Sequence, residues 1–250
     1  MWQVITARAV GTSHAASGSP CQDRETYRIV DDADGGEAAI GVVCDGAGSA
    51  QYAEVGAELV AQSLRTVAGS FIAHYGASAI TPGVLRDWVS TIRERISEQA
   101  EIEGTDVRDF ACTLVFVIAA DSQTICAQIG DGAIILNLND KLRVALWPEN
   151  GEYANQTYFV TEAQSHDRLQ VDKFGRVDDF ILFSDGLQRL ALDEAAKSAH
   201  PGFALPLLRT VRAAESLDAT KEDLERFLQS DRINSKTDDD KSIVIACRVD

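Results

Sequence analysis

The chain has 250 residues, of which 45% are apolar and 25% are charged, and its formal net charge at pH 7 is −16. This length and composition are typical of a globular protein with a sizeable core, and they argue against a disordered or repetitive chain. So large an excess of negative charge repels nucleic acid and anionic membrane surfaces, and we expect neither as a partner.

The chain begins with "MWQVITARAVG", which lacks the basic start and the continuous apolar stretch of a signal peptide. Elsewhere no run approaches the roughly 20 apolar residues of a membrane-spanning helix. Five cysteines are scattered along the sequence without a Cys-x-x-Cys pair. We interpret them as reduced thiols, most of them in the core, of a cytoplasmic protein.

The first part of the sequence has the pattern of three strands followed by two helices. Polar and apolar residues alternate over 2–10 and 24–31, and 38–44 is almost wholly apolar, so all three segments are predicted strands. Apolar residues spaced three and four apart predict amphipathic helices over 52–68 and 83–100. Thr81 and Pro82 are suited to begin the second helix.

The pattern after Asp109 becomes rich in strands. Four candidate strands separated by short polar turns follow within 110–148, which predicts an antiparallel meander. The remaining predicted elements are strands at 156–161 and 179–184, helices at 203–214 and 220–229, and a strand at 241–249. Because helices and strands come in blocks, the order favours an α+β fold with antiparallel sheets over a doubly wound parallel sheet. No linker-like stretch interrupts the chain, so we predict one domain over 1–250.

Aspartates stand at or beside the ends of several predicted strands. They are Asp23 in "PCQDRE", Asp45 in "VVCDGAG", Asp131 in "QIGDG", Asp185 in "FSDGLQ" and 238–240 in "TDDDKS". A single Asp-Gly after a strand is usually only a turn. Five acidic positions beside buried strands are harder to explain that way, because clustered carboxylates repel one another unless a cation lies among them. Carboxylates with an exposed carbonyl are the ligands that Mg²⁺ and Mn²⁺ prefer.

The series "GTSHAASGSPCQD", "VVCDGAGSAQYAEVGA", "ACTLVF", "QIGDG", "FSDGLQRLAL" and "TDDDKSIVIA" resembles the metal-dependent protein phosphatase family. This is the protein phosphatase 2C class of Ser/Thr phosphatases, and the stretch "GEYANQTYFVT" suggests its compact bacterial branch. The similarity runs from Gly11 to Val249, and the order and spacing of the motifs make it specific. It implies two packed antiparallel sheets flanked by helices, an α/β/β/α sandwich.

The resemblance also implies a metal site at one end of the sandwich. Asp45 would bridge two divalent ions, Mn²⁺ or Mg²⁺, and the Gly46 carbonyl would hold one of them. Asp185 and Asp239 would complete the other ion's ligands. Such ions activate a water and stabilise the phosphoryl oxygens during its attack. They would also supply the positive centre that an acidic protein needs in order to handle phosphate.

Two further aspartates take roles from the same resemblance. Asp23 would be an acidic neighbour that orients the attacking water, which makes it a candidate catalytic residue together with Asp45. Asp131 matches the position of a third, weaker ion. The predicted cofactor is therefore two or three divalent ions per chain.

Several positions depart from the family pattern. Gln22 stands where many members carry Glu, which would weaken one water-mediated metal contact. No Arg lies upstream to grip the substrate phosphate. His14 is a candidate to contact that phosphate or to act as a general acid, and it is equally interpretable as a structural loop histidine. Asp240 stands where the family usually has Asn, and we interpret Lys241 as a solvated charge.

The first hypothesis for function is a monomeric Ser/Thr phosphoprotein phosphatase that opposes a protein kinase, with the kinase or its targets as partners. A second is a catalytically weak pseudo-phosphatase that binds a phosphoprotein, which Gln22 and the absent Arg favour. A third is a small-molecule phosphohydrolase with the same metal chemistry. Glu152, Tyr153 and Asn155, in a loop-rich stretch over 146–166, are candidate specificity residues.

Overall fold

The computed structural model describes residues 1–139, 141–148 and 157–249. The candidate specificity residues Glu152, Tyr153 and Asn155 lie outside these ranges. Two five-stranded antiparallel sheets dominate the described chain. The strands are β1 (Trp2–Ala9), β2 (Arg24–Asp31), β3 (Glu37–Cys44), β4 (Leu114–Ala119), β5 (Thr124–Ile129), β6 (Ala133–Leu138), β7 (Lys141–Leu146), β8 (Gln170–Phe174), β9 (Asp179–Phe183), β10 (Leu192–Asp193), β11 (Ser198–Ala199) and β12 (Lys241–Arg248).

One sheet has the order β1-β12-β9-β6-β7, and the other has the order β2-β3-β4-β5-β8. The strands β10 and β11 form a separate short hairpin. The helices are α1 (Thr12–Ser17), α2 (Ala53–Tyr75), α3 (Pro82–Glu103), α4 (Ser165–Arg168), α5 (Gln188–Ala191), α6 (Pro201–Arg212), α7 (Leu217–Leu228) and α8 (Asp231–Asn234). Within the described ranges, no helix combines the length and the apolar character needed to span a bilayer.

The two sheets pack face to face and are covered by helices on both outer sides. Successive side chains of a strand point to opposite faces, so a strand buried on both faces is apolar throughout. In β3, Val43 belongs to the core between the sheets, whereas Val42 packs with α2 and α3. On the outer face of the other sheet, Ile243 and Ile245 pack with α6 and α7. The predicted α+β fold, an α/β/β/α sandwich, is thereby confirmed.

The predicted strands over 24–31 and 38–44 match β2 and β3 closely, but the predicted meander is wrong. The strands β5 and β6 lie in different sheets, because the chain crosses between the sheets at Gly130. That residue has φ of +106°, a conformation that favours glycine. The strand predicted over 156–161 is also absent from the described residues 157–161, and the half-exposed edge strand β8 was not predicted.

The first and last strands of the chain are neighbours in one sheet. The pairing of β1 with β12 runs from Trp2 opposite Arg248 to Ala9 opposite Lys241. Both chain ends therefore contribute to the same layer. This arrangement agrees with one domain over 1–250, which stays a prediction.

An ion pair between a buried carboxylate and a solvent-exposed arginine joins α6 to the first sheet. Asp179, at the start of β9, is fully buried, and its carboxylate accepts from the Arg212 guanidinium at 2.6 Å and from the Asn137 amide at 2.6 Å. Removing Arg212 would leave the buried carboxylate with only the neutral Asn137 amide as a donor among the described residues. The Arg212 contact is therefore expected to contribute strongly to stability.

We expect Arg212→Ala to lower the free energy of unfolding by about 2 kcal/mol, because the buried carboxylate of Asp179 loses its charged donor. Urea denaturation at pH 7 measures the change. The matched control is Arg226→Ala, which breaks an exposed ion pair with Asp223 and is expected to cost no more than about 0.5 kcal/mol. Adding Asp179→Asn to Arg212→Ala should restore part of the loss. Equal effects of the two arginine substitutions would contradict this account.

Candidate metal centre

Strand register brings the acidic positions of both sheets to one end of the sandwich. Arg24 pairs with Cys44, which places Asp23 and Asp45 side by side at the ends of β2 and β3. Phe183 pairs with Ile243 in one direction and with Ala133 in the other. The residues just beyond those pairs, Asp185, 238–240 and Asp131, therefore gather at the same edge of the other sheet.

Asp23 links the two sheets at this end. Its side chain is fully buried, and its Oδ2 accepts a hydrogen bond from the Ser184 hydroxyl at 2.6 Å. The Ser184 oxygen in turn accepts from the Ser242 amide at 3.0 Å. Burial raises the pKa of Asp23 to about 7, although the Ser184 and Ser242 hydroxyls favour its ionised form. The second oxygen, Oδ1, has no partner among the described residues.

Asp45 and Asp185 lie close together at this end of the sandwich, and each carboxyl affects the pKa of the other. Burial is the main reason that the pKa of Asp45 lies well above its ordinary value, and the charges of Asp23 and Asp185 raise it further. Burial, followed by the charge of Asp239, raises the pKa of Asp185 to about 7. Two carboxyls this close do not both ionise by themselves. Either one of them keeps a proton, or a cation lies nearby and allows both to be charged.

The main chain around Asp45 is held in place by Thr113. The Asp45 amide donates to the Thr113 hydroxyl at 3.1 Å, and the Thr113 amide donates to the Asp45 carbonyl at 2.8 Å. Gly46 continues this contact as an isolated bridge to Cys112. The carbonyl of Gly46 accepts no hydrogen bond from any described residue, so it remains available to a ligand.

Asp131 lies in the turn between β5 and β6. Its Oδ2 accepts from the Thr157 hydroxyl at 2.6 Å, and Gln188 donates to its carbonyl. Burial raises the pKa of this carboxyl, and the charge of Asp239 adds to the rise. Asp131, Asp185 and Asp239 line one cleft of about 470 Å³.

The segment 238–240 has two different roles. Asp239 is exposed and lines the cleft. Asp240 is buried, and it accepts from the Gly11 amide at 2.6 Å, the Gln22 amide at 2.6 Å and His14 Nδ1 at 2.9 Å. Asp240 is thus an anchor for the N-terminal loop that carries His14.

Gly186 allows the strand end at Asp185 to approach this acidic segment. A Cβ on Gly186 would lie 1.9 Å from the carbonyl oxygen of Asp240, a distance that no side chain tolerates. Lys241, interpreted from the sequence as a solvated charge, is fully buried instead. Its Nζ reaches Asn234 Oδ1 at 3.0 Å, so the lysine ties β12 to α8, and the solvated interpretation is wrong.

The donor set fits divalent cations, although it is not preset around one ion. Among the described residues no three His, Cys, Asp or Glu side chains already converge as the ligands of a metal. Buried oxygens without partners nevertheless lie here, on Asp23, Asp185 and Gln22. Carboxylate, amide and carbonyl oxygens are hard ligands that suit Mg²⁺ and Mn²⁺. The cluster therefore has the chemistry of a cation site.

The sequence did not reveal the hydroxyl groups that support this cluster. Ser184 directly precedes Asp185, Ser242 follows the acidic segment, and Thr113 lies opposite Asp45. Ser184 and Ser242 stand near an acidic position in the sequence, which was the available signal, whereas Thr113 is distant from Asp45 along the chain. Arg189, four residues after Asp185, was also missed, and it lines the cleft.

The position of Cys21 beside Asp23 in the sequence allows two interpretations, an oxidation sensor or a plain loop thiol. Burial raises the pKa of its thiol to about 12, and the charges of Asp23 and Asp240 contribute to the rise. A thiol held protonated in this way is a poor nucleophile. The plain interpretation as a loop thiol therefore fits better.

Comparisons with known proteins define the class. Residues 10–229 match the family model described as Protein phosphatase 2C. Over 248 residues the chain is 36% identical to Serine/threonine-protein phosphatase 3 of Escherichia coli strain K12, and the match covers 98% of each protein. The chain therefore belongs to the protein phosphatase 2C family. The resemblance recognised in the sequence is confirmed, and so is the prediction that this protein is a phosphatase.

Solved structures share the fold at low sequence identity. The phosphatase Stp1 from Staphylococcus aureus has a TM-score of 0.63 and 14% identity, over 100% of this chain and 96% of its own. PppA from Pseudomonas aeruginosa has a TM-score of 0.64 and 19% identity, and the match covers 98% of this chain and 97% of PppA. The catalytic domain of the phosphatase PstP, solved in complex with two manganese ions, has a TM-score of 0.65 and 17% identity. That match covers 100% of this chain and 99% of the PstP domain.

The raised carboxyl pKa values predict an unusual pH dependence for the metal-free protein. Asp23 and Asp185 have a pKa of about 7 when folded and about 4 when unfolded, so between these values the folded state binds more protons. Their contribution to stability is therefore present at low pH and is lost as the pH rises through about 7. In EDTA, we expect the melting temperature of the natural protein to fall as the pH rises from about 5 to about 7.5. The melting temperature of Asp185→Asn should fall less over the same range.

Divalent ions should reverse this trend, because binding displaces protons from the carboxyls. Mn²⁺ is therefore expected to raise the melting temperature more at pH 7.5 than at pH 5. Differential scanning fluorimetry with and without EDTA measures both effects. A slope identical in the natural protein and Asp185→Asn, with no response to Mn²⁺ at either pH, would refute the assignment of this cluster.

Proposed function

We propose that this chain is a divalent-metal-dependent phosphatase that hydrolyses phosphoserine and phosphothreonine in a phosphoprotein. The observation that carries the proposal is the buried cluster of Asp23, Asp45 and Asp185, whose pKa values are all raised chiefly by burial. The charges of Asp23 and Asp185 raise the pKa of Asp45 further by repulsion. Only protons or cations relieve that repulsion. The name of the 36% identical relative, a serine/threonine-protein phosphatase, supports the substrate class.

In this proposal Asp45, the Gly46 carbonyl, Asp185 and Asp239 would together hold two divalent ions. Asp131 holds a third, weaker ion. Bound Mn²⁺ or Mg²⁺ supplies acidity to a water and positive charge to the phosphoryl oxygens. The two manganese ions in the PstP structure support Mn²⁺ as one suitable ion.

Asp23 orients the attacking water and accepts a proton from it. Its Oδ2 is fixed by the Ser184 hydroxyl at 2.6 Å, and its Oδ1 is left without a described partner. Burial raises the pKa of this carboxyl in the metal-free protein, and bound cations would lower it again, so that the proton-accepting carboxylate form would be present near neutral pH. Together with Asp45 it makes up the acidic part of the catalytic machinery.

Phosphate recognition relies on residues other than the upstream Arg of the family. Arg189 lines the cleft together with Asp185 and presents a guanidinium, which binds phosphate oxygens in pairs. His14 is held at Nδ1 by Asp240 at 2.9 Å, which leaves Nε2 to contact phosphate or to protonate the leaving group. The Asp240 contact equally serves to hold the loop, so both roles of His14 stay open to test.

The biological setting follows from the chemistry. The substrate is a phosphoprotein, and a protein kinase supplies the phosphate that this chain removes, as a cytoplasmic monomer in our proposal. The pseudo-phosphatase alternative is not favoured, because Asp45, Asp185 and Asp239 are all retained. Nothing in the cleft favours a small molecule over a phosphoprotein, so that alternative is left to the assay.

We expect release of phosphate from a phosphothreonine peptide with Mn²⁺ or Mg²⁺, and none with EDTA. Asp185→Ala should reduce kcat/KM by about a thousandfold or more, because it removes charge that the transition state requires. Its melting temperature in EDTA should be no lower than that of the natural protein, since the substitution relieves repulsion. The matched control is Asp87→Ala, an exposed position on α3, which should retain full activity.

The outcomes separate the alternatives. Full activity of Asp185→Ala would overturn the site assignment. Mn²⁺ binding by the natural protein without any hydrolysis would favour the pseudo-phosphatase. Hydrolysis of p-nitrophenyl phosphate without hydrolysis of any phosphopeptide would favour a small-molecule substrate.

A further inference from the structure

A second pocket opens beside the metal cleft. Its volume is about 660 Å³, within the range of pockets that hold ligands, roughly 300–1,000 Å³. Side chains from α5, α6, α7 and α8 line it. Arg189 lines both this pocket and the metal cleft, so the two spaces are neighbours.

The charge of this pocket is opposite to that of the whole protein. Its lining includes Arg189, His200, Arg232 and Lys236, and no described Asp or Glu. The chain as a whole has 39 acidic residues and 23 basic ones, so a pocket lined by basic side chains without a carboxylate differs from the rest of the protein. No described carboxylate forms an ion pair with Arg189, Arg232 or Lys236. We call this space the basic pocket.

The interior of the basic pocket is apolar. Phe203 and Ile233 are buried, and Leu207 and Phe227 are half-buried and line the same space. An apolar side chain that enters between them would be removed from water, which favours its binding. The pocket thus suits a segment that carries both an apolar side chain and negative charge.

The position of the basic pocket connects it with the reaction. Lys236 directly precedes the residues Thr237, Asp238 and Asp239, which line the metal cleft. Arg189 lies on the boundary between the two spaces. A peptide whose phosphorylated residue occupies the cleft therefore has the basic pocket as an adjacent site for its neighbouring residues.

We propose that the basic pocket binds the segment of the phosphoprotein that flanks the phosphorylated residue, and that it selects acidic residues with an apolar side chain among them. The proposal rests on the phosphatase function given above. The field of a protein with charge −16 repels such a segment, so recognition requires a local cationic wall. Because this contact lies beside the reacting group, it is expected to lower KM more than it changes kcat.

The test compares phosphothreonine peptides of equal length, assayed with Mn²⁺. One peptide carries Glu and Leu beside the phosphothreonine, a second replaces Glu by Gln, and a third replaces Glu by Lys. We expect kcat/KM for the acidic peptide to exceed that for the Gln peptide about tenfold at low salt, and the preference to shrink towards about 0.5 M salt. The Lys peptide should be the poorest substrate.

The variant Arg232→Gln/Lys236→Gln should lose most of the preference, mainly through KM. The matched control is Arg226→Gln, an exposed arginine of α7 that does not line the pocket, and it should keep the preference of the natural protein. Equal kcat/KM for the three peptides in the natural protein, or an unchanged preference in the double variant, would overturn the proposal.

A binding measurement distinguishes this proposal from the phosphatase function itself. The acidic and Gln peptides, unphosphorylated and fluorescently labelled, are titrated with the natural protein and followed by anisotropy. Tighter binding of the acidic peptide, lost in the double variant, would support the pocket even if no peptide were hydrolysed. Hydrolysis of all peptides without any difference in binding would refute the pocket and leave the phosphatase function intact.

Discussion

Repulsion among buried carboxyls is the constraint on which the rest of this structure depends. Asp23, Asp45 and Asp185 come from the ends of strands in two different sheets, and burial alone disfavours their charged forms. The sandwich holds them together because β2 pairs with β3 along their full lengths and β12 pairs with the whole of β9. The packing of the two sheets thus holds together carboxyls that would move apart on a flexible loop. A cation that binds among them relieves their repulsion, and this relief contributes to its binding free energy.

The acidic segment before β12 shows how one stretch of chain can serve both packing and chemistry. Asp240 accepts two main-chain amides and His14, and donors of this kind stabilise a carboxylate more than a neutral amide. This explains an Asp where the family usually has Asn. The adjacent Asp239 remains exposed in the cleft. Anchoring by one residue therefore fixes the position of the other.

Much of this could be predicted from the sequence because the relevant signals are local. Apolar runs marked β2, β3 and β12, and an Asp-Gly at a strand end marked Asp45 and Asp185. The remaining features depend on contacts that sequence periodicity does not encode. The crossing at Gly130 separates β5 from β6, although their patterns are those of a hairpin. Lys241 can be buried because Asn234, from a different element, accepts a hydrogen bond from its ammonium group. The basic pocket is lined by residues from four helices, so no single segment of the sequence predicts it.

The contrast between the whole surface and its local positive regions bears on specificity. A net charge of −16 makes association with any acidic phosphoprotein unfavourable over most of the surface. Attraction is then confined to the bound cations and to the adjacent wall of Arg189, Arg232 and Lys236. Specificity arises from such differences, because repulsion elsewhere discriminates as effectively as attraction at the site. In our proposal, a phosphorylated segment therefore binds well only where it contacts both regions at once. The hydrolysis itself depends only on the phosphate group, but binding then depends on the residues that flank it.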